Sequence, residues 1–351
     1  MTFEEIFAVD TSNMYGLLRG FPAQGREAVS IGTSTALRLN TRGVREIVLC
    51  GLGGSAIGGD LIRSYLAGEL AVPFLVNRTY TLPRFVGPQT LVIVSSYSGN
   101  TEETRAAHRE ALKRKARILC ISSGGETAAA ARARRSPLIS IPGGLPPRAA
   151  LAYSFFPLLI TLSRLGFIRS KTRDIRETLQ ILEQKAEDYG TPDPATNRAL
   201  QLASLLQNRI GIVYSSTERL DAVSTRWRGQ IAENAKALCF GHVLPEMNHN
   251  ELVGWNVLTD QMREMQVIFL RDRDDHKRIA ARADITRAVI SRFTPHVTEV
   301  RSEGQSLLAR IFSLVSLGDW VSYYLAILHR QDPTPVEIID YLKSELATIK
   351  D

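Results

Sequence analysis

Short runs of apolar, largely β-branched residues recur along the chain, and each is followed by a stretch with a helical pattern. In the first half of the chain these runs lie at 46–50, 73–76, 90–94, 117–121 and 138–141. Apolar runs without alternating polar residues indicate strands that are buried on both faces. Strands that alternate regularly with helices are joined by crossovers and therefore lie parallel in one sheet. The pattern predicts a doubly wound α/β fold, in which helices flank a parallel sheet.

The second half of the chain repeats this alternation. Further strands are predicted at 209–214, 266–270 and 297–301, with a helix at 221–236 and a long apolar helix at 307–329. We expect the long helix to break near Gly318. A C-terminal helix is predicted after Thr334-Pro335-Val336-Glu337, because this stretch has the pattern of a capping box with proline at the first helical position.

A break in composition separates the two halves. The segment at 188–197 contains two prolines and a glycine, which interrupt regular structure. We therefore expect two α/β domains of similar plan, at 1–172 and 198–351. A helical connection and linker at 173–197 would join them.

The charge of the chain favours anionic ligands without identifying one. Of its 351 residues, 43 are Lys or Arg and 36 are Asp or Glu, which gives a formal net charge of +7. The densest basic stretches, at 113–117 and 132–135, lack the interleaved aromatic residues that a groove for single-stranded nucleic acid requires. We interpret them as solvated helix faces and expect no nucleic-acid partner.

Cysteine content and hydropathy predict a cytoplasmic protein. The three cysteines have no short spacing, which argues against a disulfide framework or a zinc site and favours a reducing compartment. The N-terminal segment MTFEEIFAVD lacks the basic region of a signal peptide. The most apolar stretch, at 151–162, is too short to cross a bilayer and contains Pro157, so we expect no membrane span.

A glycine-rich segment at 51–59 follows the first predicted strand and precedes a helix expected near 58–66. Glycines let backbone amides approach an anion, and the N-terminus of the following helix adds positive potential. The segment therefore predicts an anion-binding site. A tight turn between strand and helix would also explain the glycines.

The same segment satisfies the loose dinucleotide-binding pattern through Gly51, Gly53 and Ala56. In that pattern an acidic residue after the second strand binds the ribose. Arg78 stands there instead, and an arginine suits the 2′-phosphate of NADP. An NADP-binding protein therefore remains one interpretation.

Three hydroxyl-bearing residues follow the third predicted strand and precede a helix. Ser96, Ser98 and Thr101 lie beside the exposed amides of a helix start, an arrangement that suits the oxygens of a phosphate monoester. Helix capping by Ser98 or Asn100 would need only one such residue. Because the carboxyl ends of neighbouring parallel strands meet at one edge of a sheet, we expect both segments to form a shared anion pocket.

Two charged residues are candidates for proton-transfer chemistry. Glu233 lies in a predicted helix near Trp227, where a desolvated carboxylate could act as a general base, although a lone glutamate is usually exposed. Arg148 follows two prolines that stiffen the chain, so its guanidinium could stabilise a developing oxyanion. A surface arginine is the alternative.

His249 is a candidate acid or base if a substrate pocket lies nearby. Together with His242 and Glu246 it forms the spacing H-x3-E-x2-H, which differs from the zinc-binding motif H-E-x-x-H. Pro245 also disturbs the helical register. We therefore expect no metal site at these residues.

Several segments, in their order along the chain, resemble one known family, the bifunctional phosphoglucose/phosphomannose isomerases. The segments are GLGGSAIGGD at 51–60, SSYSGNTEET at 95–104, ENAK at 233–236 and PEMNHNE at 245–251. The first two mark the wider superfamily of sugar isomerase (SIS) domains, whereas the last two together are specific to the family. The resemblance covers essentially the whole chain and includes FPAQ at 21–24, GDWVSYYLAIL at 318–328 and DPTPVE at 332–337.

The resemblance implies a fold and an activity. The fold would consist of two SIS domains, each a parallel sheet flanked by helices. The activity would be that of an aldose–ketose isomerase, which interconverts glucose, fructose and mannose 6-phosphates by proton transfer through a cis-enediol(ate). No metal ion, nicotinamide or other cofactor is implied. A homodimer with its active site at the interface is implied.

The resemblance also assigns roles to individual residues. The positions that hold the sugar phosphate are matched by Gly54, Ser55, Ser96, Ser98 and Thr101. Glu233 matches the base that moves a proton between C1 and C2, and Arg148 matches the arginine that stabilises the enediolate. His249 of the partner subunit matches the group that assists ring opening. Thr334 is the candidate for a threonine that is linked to return of the proton to either face of C2.

Two alternative functions are open. A non-catalytic SIS module that senses sugar phosphates would keep the phosphate-binding hydroxyls but would not need Glu233, His249 or Arg148. An NADP-dependent oxidoreductase would depend on the dinucleotide-like glycines and on Arg78.

Overall fold

Two parallel β-sheets form the framework of the protein, and helices pack on both faces of each sheet. The computed structural model describes residues 1–217 and 219–349. The strands are β1 (Glu46–Cys50), β2 (Phe74–Asn77), β3 (Thr90–Ser96), β4 (Arg117–Ser122), β5 (Leu138–Ser140), β6 (Gly211–Ser216), β7 (Cys239–Phe240), β8 (Val243–Leu244), β9 (Gln266–Arg271) and β10 (Val297–Arg301).

Three α-helices precede β1, and three more lie between β5 and β6 along the chain, that is, between the two sheets. The α-helices are α1 (Phe3–Val9), α2 (Met14–Arg19), α3 (Phe21–Ser34), α4 (Gly53–Leu66), α5 (Glu102–Lys113), α6 (Gly125–Ala133), α7 (Leu151–Arg164), α8 (Thr172–Gly190), α9 (Arg198–Leu206), α10 (Asp221–Ala235), α11 (Thr259–Arg263), α12 (Lys277–Ile290), α13 (Leu307–Leu328) and α14 (Glu337–Leu346). Short 3-10 helices lie at Pro147–Ala149, Glu246–His249 and Glu251–Gly254.

The first sheet has the strand order β2-β1-β3-β4-β5, and all neighbouring strands are parallel. Both faces are buried, since Ile47 and Leu49 of β1 belong to one hydrophobic cluster and Val48 and Cys50 to another. The chain leaves the neighbours β1 and β3 in opposite directions, which opens a crevice at their carboxyl ends. This topology explains why the two predicted anion-binding segments lie together.

The second sheet has the order β10-β9-β6-β7, with β8 also paired to β6, and its strands are likewise parallel. Val213 of β6 belongs to one hydrophobic cluster, while Ile212 and Tyr214 belong to another, so both faces are again buried. α10 follows β6 and packs against α4 of the first half. The predicted fold class, a doubly wound α/β fold with two parallel sheets and a C-terminal helix, is confirmed.

The two halves share one continuous hydrophobic core. Phe312 of α13 packs against Phe155 and Phe156 of α7, with ring centroids 4.8 and 5.3 Å apart. By length and composition α13 could cross a membrane, but 94% of its most apolar window is buried inside the fold. It is therefore a core helix in this structure.

α13 is not broken at Gly318, and this prediction is wrong. A Cβ atom at this position would lie 2.3 Å from Nε1 of Trp227. The Trp227 indole occupies that space, and its Nε1 donates a hydrogen bond to the carbonyl oxygen of Leu314 at 2.8 Å. The glycine therefore allows α10 to pack closely on α13 and does not end the helix.

α4 begins at Gly53, earlier than the predicted start near 58. Most of the glycine-rich segment therefore belongs to the helix. A Cβ atom at Gly58 would lie 2.6 Å from Oγ of Ser154 on α7, so this glycine permits close helix packing. The predicted start of this helix near 58 is therefore wrong.

The predicted capping box before α14 does not form. Val336 takes the N-cap position, and no side-chain hydrogen bond from residues 1–217 or 219–349 caps the helix. The amide nitrogen of Thr334 donates instead to Oδ1 of Asp332 at 2.9 Å, and its carbonyl oxygen accepts from Arg148. Contacts with Asp332 and Arg148 therefore fix Thr334, and the predicted N-cap role is wrong.

Candidate active site

The N-termini of α4 and α5 meet at the crevice between β1 and β3. The hydroxyl of Ser55, in the first turn of α4, accepts a hydrogen bond from the backbone amide of Tyr97 at 3.2 Å. Tyr97 lies between β3 and α5. The two segments that the sequence predicted as parts of one anion pocket are therefore in direct contact.

The hydroxyls around these helix starts are held by the backbone. Ser96 Oγ accepts from the amide of Gly99 at 3.1 Å and donates to Thr101 Oγ1 at 3.1 Å. Ser98 Oγ accepts from the amide of Asn100 at 3.3 Å. The hydroxyls of Ser98 and Thr101 act as acceptors in these bonds, so each keeps its own proton for another acceptor. Together with two helix N-termini, this arrangement can bind a phosphate group.

Arg148 lies against this pocket, in the 3-10 helix Pro147–Ala149. A Cβ atom at Gly54 would lie 2.3 Å from the carbonyl oxygen of Pro147, so only glycine lets α4 approach the arginine-bearing segment. Ser154 Oγ also donates to the carbonyl oxygen of Gly54 at 3.1 Å. Gly54 therefore joins the phosphate-binding segment to Arg148.

Arg148 is buried, which excludes the alternative of a surface arginine. Its Nε donates to Oδ1 of Asn234 at 2.6 Å, and its Nη2 donates to the carbonyl oxygens of Pro333 and Thr334 at 2.6 and 2.8 Å. Its Nη1 lies 3.5 Å from Oε2 of Glu233. One guanidinium thus connects the first half of the chain, α10 and the segment before α14.

Glu233 and Arg148 form an ion pair, and the solvent-facing side of this pair is called the cleft. The Glu233 side chain is 35% exposed and that of Arg148 is 5% exposed, so the carboxylate is the accessible partner. Glu233 is therefore neither a lone nor a fully exposed residue. A half-exposed carboxylate beside a fixed guanidinium can exchange a proton with a bound ligand.

Two cations, Arg148 and Lys236, lie near this carboxylate, together with the carboxylate of Asp332. Burial lowers the pKa of the Arg148 guanidinium from its ordinary value, and the nearby carboxylates of Glu233 and Asp332 oppose the shift. Partial burial and the charge of Arg148 lower the pKa of the Lys236 amine. Lys236 Nζ donates to the carbonyl oxygens of Glu233 and Pro333 at 2.6 and 3.2 Å. These two cations favour an oxyanion at the cleft.

The hydroxyl of Thr334 is a polar group without a partner in the part of the chain that the structure describes. Its Oγ1 is buried, although the carbonyl oxygen of the same residue is bound by Arg148. A buried hydroxyl without a partner is rare, and a bound ligand is one way to satisfy it. Thr334 therefore belongs to the same site as Arg148 and Glu233.

His249 lies on the surface of the single chain. It is exposed at the end of the 3-10 helix Glu246–His249. The neighbouring Asn248 anchors this helix, since its Nδ2 donates to Oγ1 of Thr286 at 2.8 Å. Within residues 1–217 and 219–349, no hydrogen bond joins His249 to Glu233 or Arg148. Over the same residues, no group of three or more His, Cys, Asp or Glu side chains could hold a metal ion.

Arg78 is not free to bind a 2′-phosphate. It forms an ion pair with Asp60, a largely buried residue of α4. A guanidinium that is neutralised by a carboxylate offers little attraction to a second anion. This pairing argues against the NADP interpretation.

Sequence reasoning missed the residues that hold the site together. Gln24 Nε2 donates to the carbonyl oxygen of Ala149 at 2.8 Å, and Gln24 Oε1 accepts from the amide of Ala152 at 3.1 Å. Asn234 and Asp332 bind Arg148 and Thr334 directly. All three lie inside the segments FPAQ, ENAK and DPTPVE that carried the family resemblance. Glu233 in ENAK and Thr334 in DPTPVE were assigned roles, but Gln24, Asn234 and Asp332 were not.

Comparison with known families divides the chain into two matched regions. Residues 41–142 match the SIS domain family. Residues 195–346 match the family described as the bacterial phospho-glucose isomerase C-terminal SIS domain. Both parallel sheets are thus covered by sugar isomerase families.

Two relatives and one solved structure illustrate the similarity. A bifunctional phosphoglucose/phosphomannose isomerase of Caldicellulosiruptor bescii is 42% identical over 339 residues, covering 96% of this chain and 100% of the relative. One of Aquifex aeolicus is 37% identical over 308 residues, covering 86% and 90%. A hypothetical protein from Thermus thermophilus has the same fold at 16% identity, with a TM-score of 0.75 over 98% of this chain and 93% of that one.

Proposed function

The chain belongs to the bifunctional phosphoglucose/phosphomannose isomerase family, and from this premise we propose that it is an aldose–ketose isomerase of hexose 6-phosphates. It would interconvert glucose, fructose and mannose 6-phosphates. The observation that carries this proposal is the contact of Arg148 with both Glu233 and the Thr334 carbonyl, beside two helix N-termini.

Phosphate binding fixes the sugar relative to the base. The substrate phosphate would lie at the N-termini of α4 and α5, bound by Gly54, Ser55, Ser96, Ser98 and Thr101. Contacts of Ser55 with Tyr97 and of Gly54 with Pro147 support this assignment, because they hold the pocket against Arg148. Binding energy from the distant phosphate then orients C1 and C2 for reaction.

Glu233 would act as the base. Starting from the open-chain aldose, its carboxylate removes the proton from C2, and the C–H electron pair forms the C1–C2 double bond. The C1 carbonyl oxygen becomes the enediolate oxygen, where Arg148 and Lys236 stabilise the negative charge. The O2 proton passes to O1 and the C2 carbonyl forms as Glu233 returns the carbon-bound proton to C1, which gives the neutral ketose. Proton transfer of this kind requires no redox cofactor, and we propose that none is used.

Formation of both aldoses requires the proton to return to either face of C2. The base stays the same if the enediol rotates about its C2–C3 bond. The Thr334 hydroxyl is buried without a partner beside Arg148 in the described part of the chain, which supports a role in binding the rotated intermediate. Thr334 is therefore our candidate for the residue that permits mannose 6-phosphate formation.

We propose a homodimer in which His249 of the partner subunit completes the site and assists ring opening. The exposure of His249 supports this arrangement, as does the lack of a hydrogen bond between it and Glu233 among the described residues. Large apolar side chains on α14 are also exposed, including Ile338 at 85% and Tyr341 at 65%. Exposed apolar surface of this kind is typical of a subunit interface. We also propose a cytoplasmic location, because the substrates are polar, phosphorylated metabolites.

Product analysis tests the proposed function. Purified protein is incubated with fructose 6-phosphate, and the products are resolved by NMR. We expect both glucose and mannose 6-phosphates. Formation of glucose 6-phosphate alone would contradict the mannose activity. Binding of fructose 6-phosphate without conversion would contradict the isomerase and favour the sugar-phosphate sensor.

A further inference from the structure

A buried polar stripe runs along one side of α10. Arg226, Gln230 and Asn234 are four residues apart and therefore lie on one face of the helix. They are 5%, 4% and 1% exposed. Buried polar side chains are costly unless they are hydrogen-bonded, so three of them on one face imply matching partners.

The partners are on one turn of α13. Arg226 Nε and Nη2 bind the two carboxylate oxygens of Asp319 at 2.9 and 2.8 Å, and Gln230 Nε2 donates to Asp319 Oδ1 at 2.9 Å. Asn234 Nδ2 donates to Ser322 Oγ at 2.9 Å. Ser322 Oγ in turn donates to the carbonyl oxygen of Asp319 at 2.7 Å. The stripe is thus fixed to a rigid core helix.

Both ends of this stripe bind Arg148. Arg226 Nη2 donates to the carbonyl oxygen of Arg148 at 3.0 Å, which fixes its main chain. Asn234 Oδ1 accepts from Arg148 Nε at 2.6 Å, which fixes its guanidinium. Since Nη2 is bound to two backbone carbonyl oxygens, Nη1 is the group that faces Glu233.

We propose that Asn234 is a positioning residue for proton transfer, because it holds Arg148 so that Nη1 faces Glu233 and the enediolate. This inference rests on the proposed isomerase function. Consecutive helical residues point about 100° apart, so Asn234 turns into the core while Glu233 turns toward the cleft. One turn of α10 therefore carries the proposed base, Glu233, and also fixes the orientation of the Arg148 guanidinium.

Replacing Asn234 by alanine should slow the reaction without weakening phosphate binding. The guanidinium loses its Nε acceptor and can rotate away from the enediolate. We expect kcat to fall about 10- to 100-fold, while the KM for fructose 6-phosphate stays within about threefold of wild type.

Two ligands separate positioning from a general structural role. A five-carbon aldonic acid phosphate carries a carboxylate that resembles the enediolate, whereas sorbitol 6-phosphate has no charge at C1 or C2. In Asn234→Ala we expect the affinity for the aldonic acid phosphate to fall about tenfold and that for sorbitol 6-phosphate to stay unchanged. Ser322→Ala removes the anchor of Asn234 without touching Arg148, and we expect the same selective loss, smaller in size.

Asn197 provides a matched control. It is also a buried asparagine, and it caps α9 and binds the carbonyl oxygen of Tyr189 at 2.9 Å, away from Arg148. Asn197→Ala should lower the melting temperature but leave the ratio of the two affinities at the wild-type value. An unchanged ratio in both Asn234→Ala and Ser322→Ala would overturn the inference. Wild-type protein without isomerase activity would overturn the proposed function instead, and the affinity ratios would still test the inference.

Discussion

The Nη1 atom of Arg148 lies 3.5 Å from Oε2 of Glu233. The arginine comes from the first half of the chain and the glutamate from α10 of the second half. The carboxylate and the cation that stabilises its product are thus brought together only where the two halves pack. Arg148 is buried, whereas the partly exposed carboxylate of Glu233 is open to solvent.

Replacement of Arg148 by lysine should abolish most of the activity. Lysine retains the charge but cannot bind Asn234, two carbonyl oxygens and Glu233 at once. We expect kcat to fall at least about 100-fold. The measurement is steady-state kinetics with fructose 6-phosphate. Arg228→Lys is the control, because Arg228 on α10 binds only Ser224 and Thr225 of its own helix among the described residues. Full activity in Arg148→Lys would contradict the role of the guanidinium.

Hybrid dimers should reveal whether His249 acts across the subunit interface. Glu233→Gln and His249→Ala subunits with different affinity tags are co-expressed, and the hybrid is isolated through both tags. If Glu233 and His249 of the partner subunit share a site, one of the two sites in the hybrid is intact and activity is about half of wild type. An inactive hybrid, with both parent variants inactive, would place both residues in one subunit.

Removal of the Thr334 hydroxyl should change the ratio of products. Thr334→Val preserves the shape of the side chain but removes the unpartnered Oγ1. We expect mannose 6-phosphate formation to fall about tenfold and glucose 6-phosphate formation to change less than about threefold. The ratio of mannose 6-phosphate to glucose 6-phosphate is measured by NMR for the variant and for wild type. Thr33→Val, on the exposed side of α3, is the control. Equal loss of both products would contradict the assignment.

His108 should make the protein less stable in acid. Burial, with the charge of Arg134, lowers the pKa of His108 below its ordinary value of 6.5. Below that pH the unfolded chain takes up a proton that the folded chain refuses, so stability is lost as pH falls. One such proton contributes at most about 1.4 kcal/mol per pH unit.

The matched variant is His108→Gln, which does not titrate. Thermal unfolding of both proteins is followed from pH 7.5 to pH 5.5. The melting temperature of wild type should fall more steeply than that of the variant over this range. Parallel curves would show that His108 is protonated in the folded state as readily as in the unfolded one.

The strands were predictable from sequence because burial on both faces leaves a local record in apolar runs. β1, β3 and β4 begin at the predicted residues. The positions of Ser55 and Ser96 at one crevice followed from the same reasoning, since the carboxyl ends of neighbouring parallel strands coincide. These features depend on short stretches of chain and on general rules of topology.

Features that depend on distant partners were not predictable. Gly318 was expected to break α13, but the reason for its presence is Trp227, on another helix. Thr334 was expected to cap α14, but Arg148 and Asp332 hold it elsewhere. Asn234 carried no signal of its own, because its partners on α13 are far away in sequence. The domain boundary at 173–197 stays a prediction, since α8 packs against both α3 and α13.

Deuterium incorporation tests the central claim, that Glu233 moves a proton between C1 and C2. Fructose 6-phosphate is incubated with wild type and with Glu233→Gln in deuterated water. Wild type should give glucose and mannose 6-phosphates with deuterium at C2, whereas Glu233→Gln should give neither, while it binds sorbitol 6-phosphate within about threefold of wild type. Isomerisation or deuterium exchange that persists at the wild-type rate in Glu233→Gln would contradict the claim.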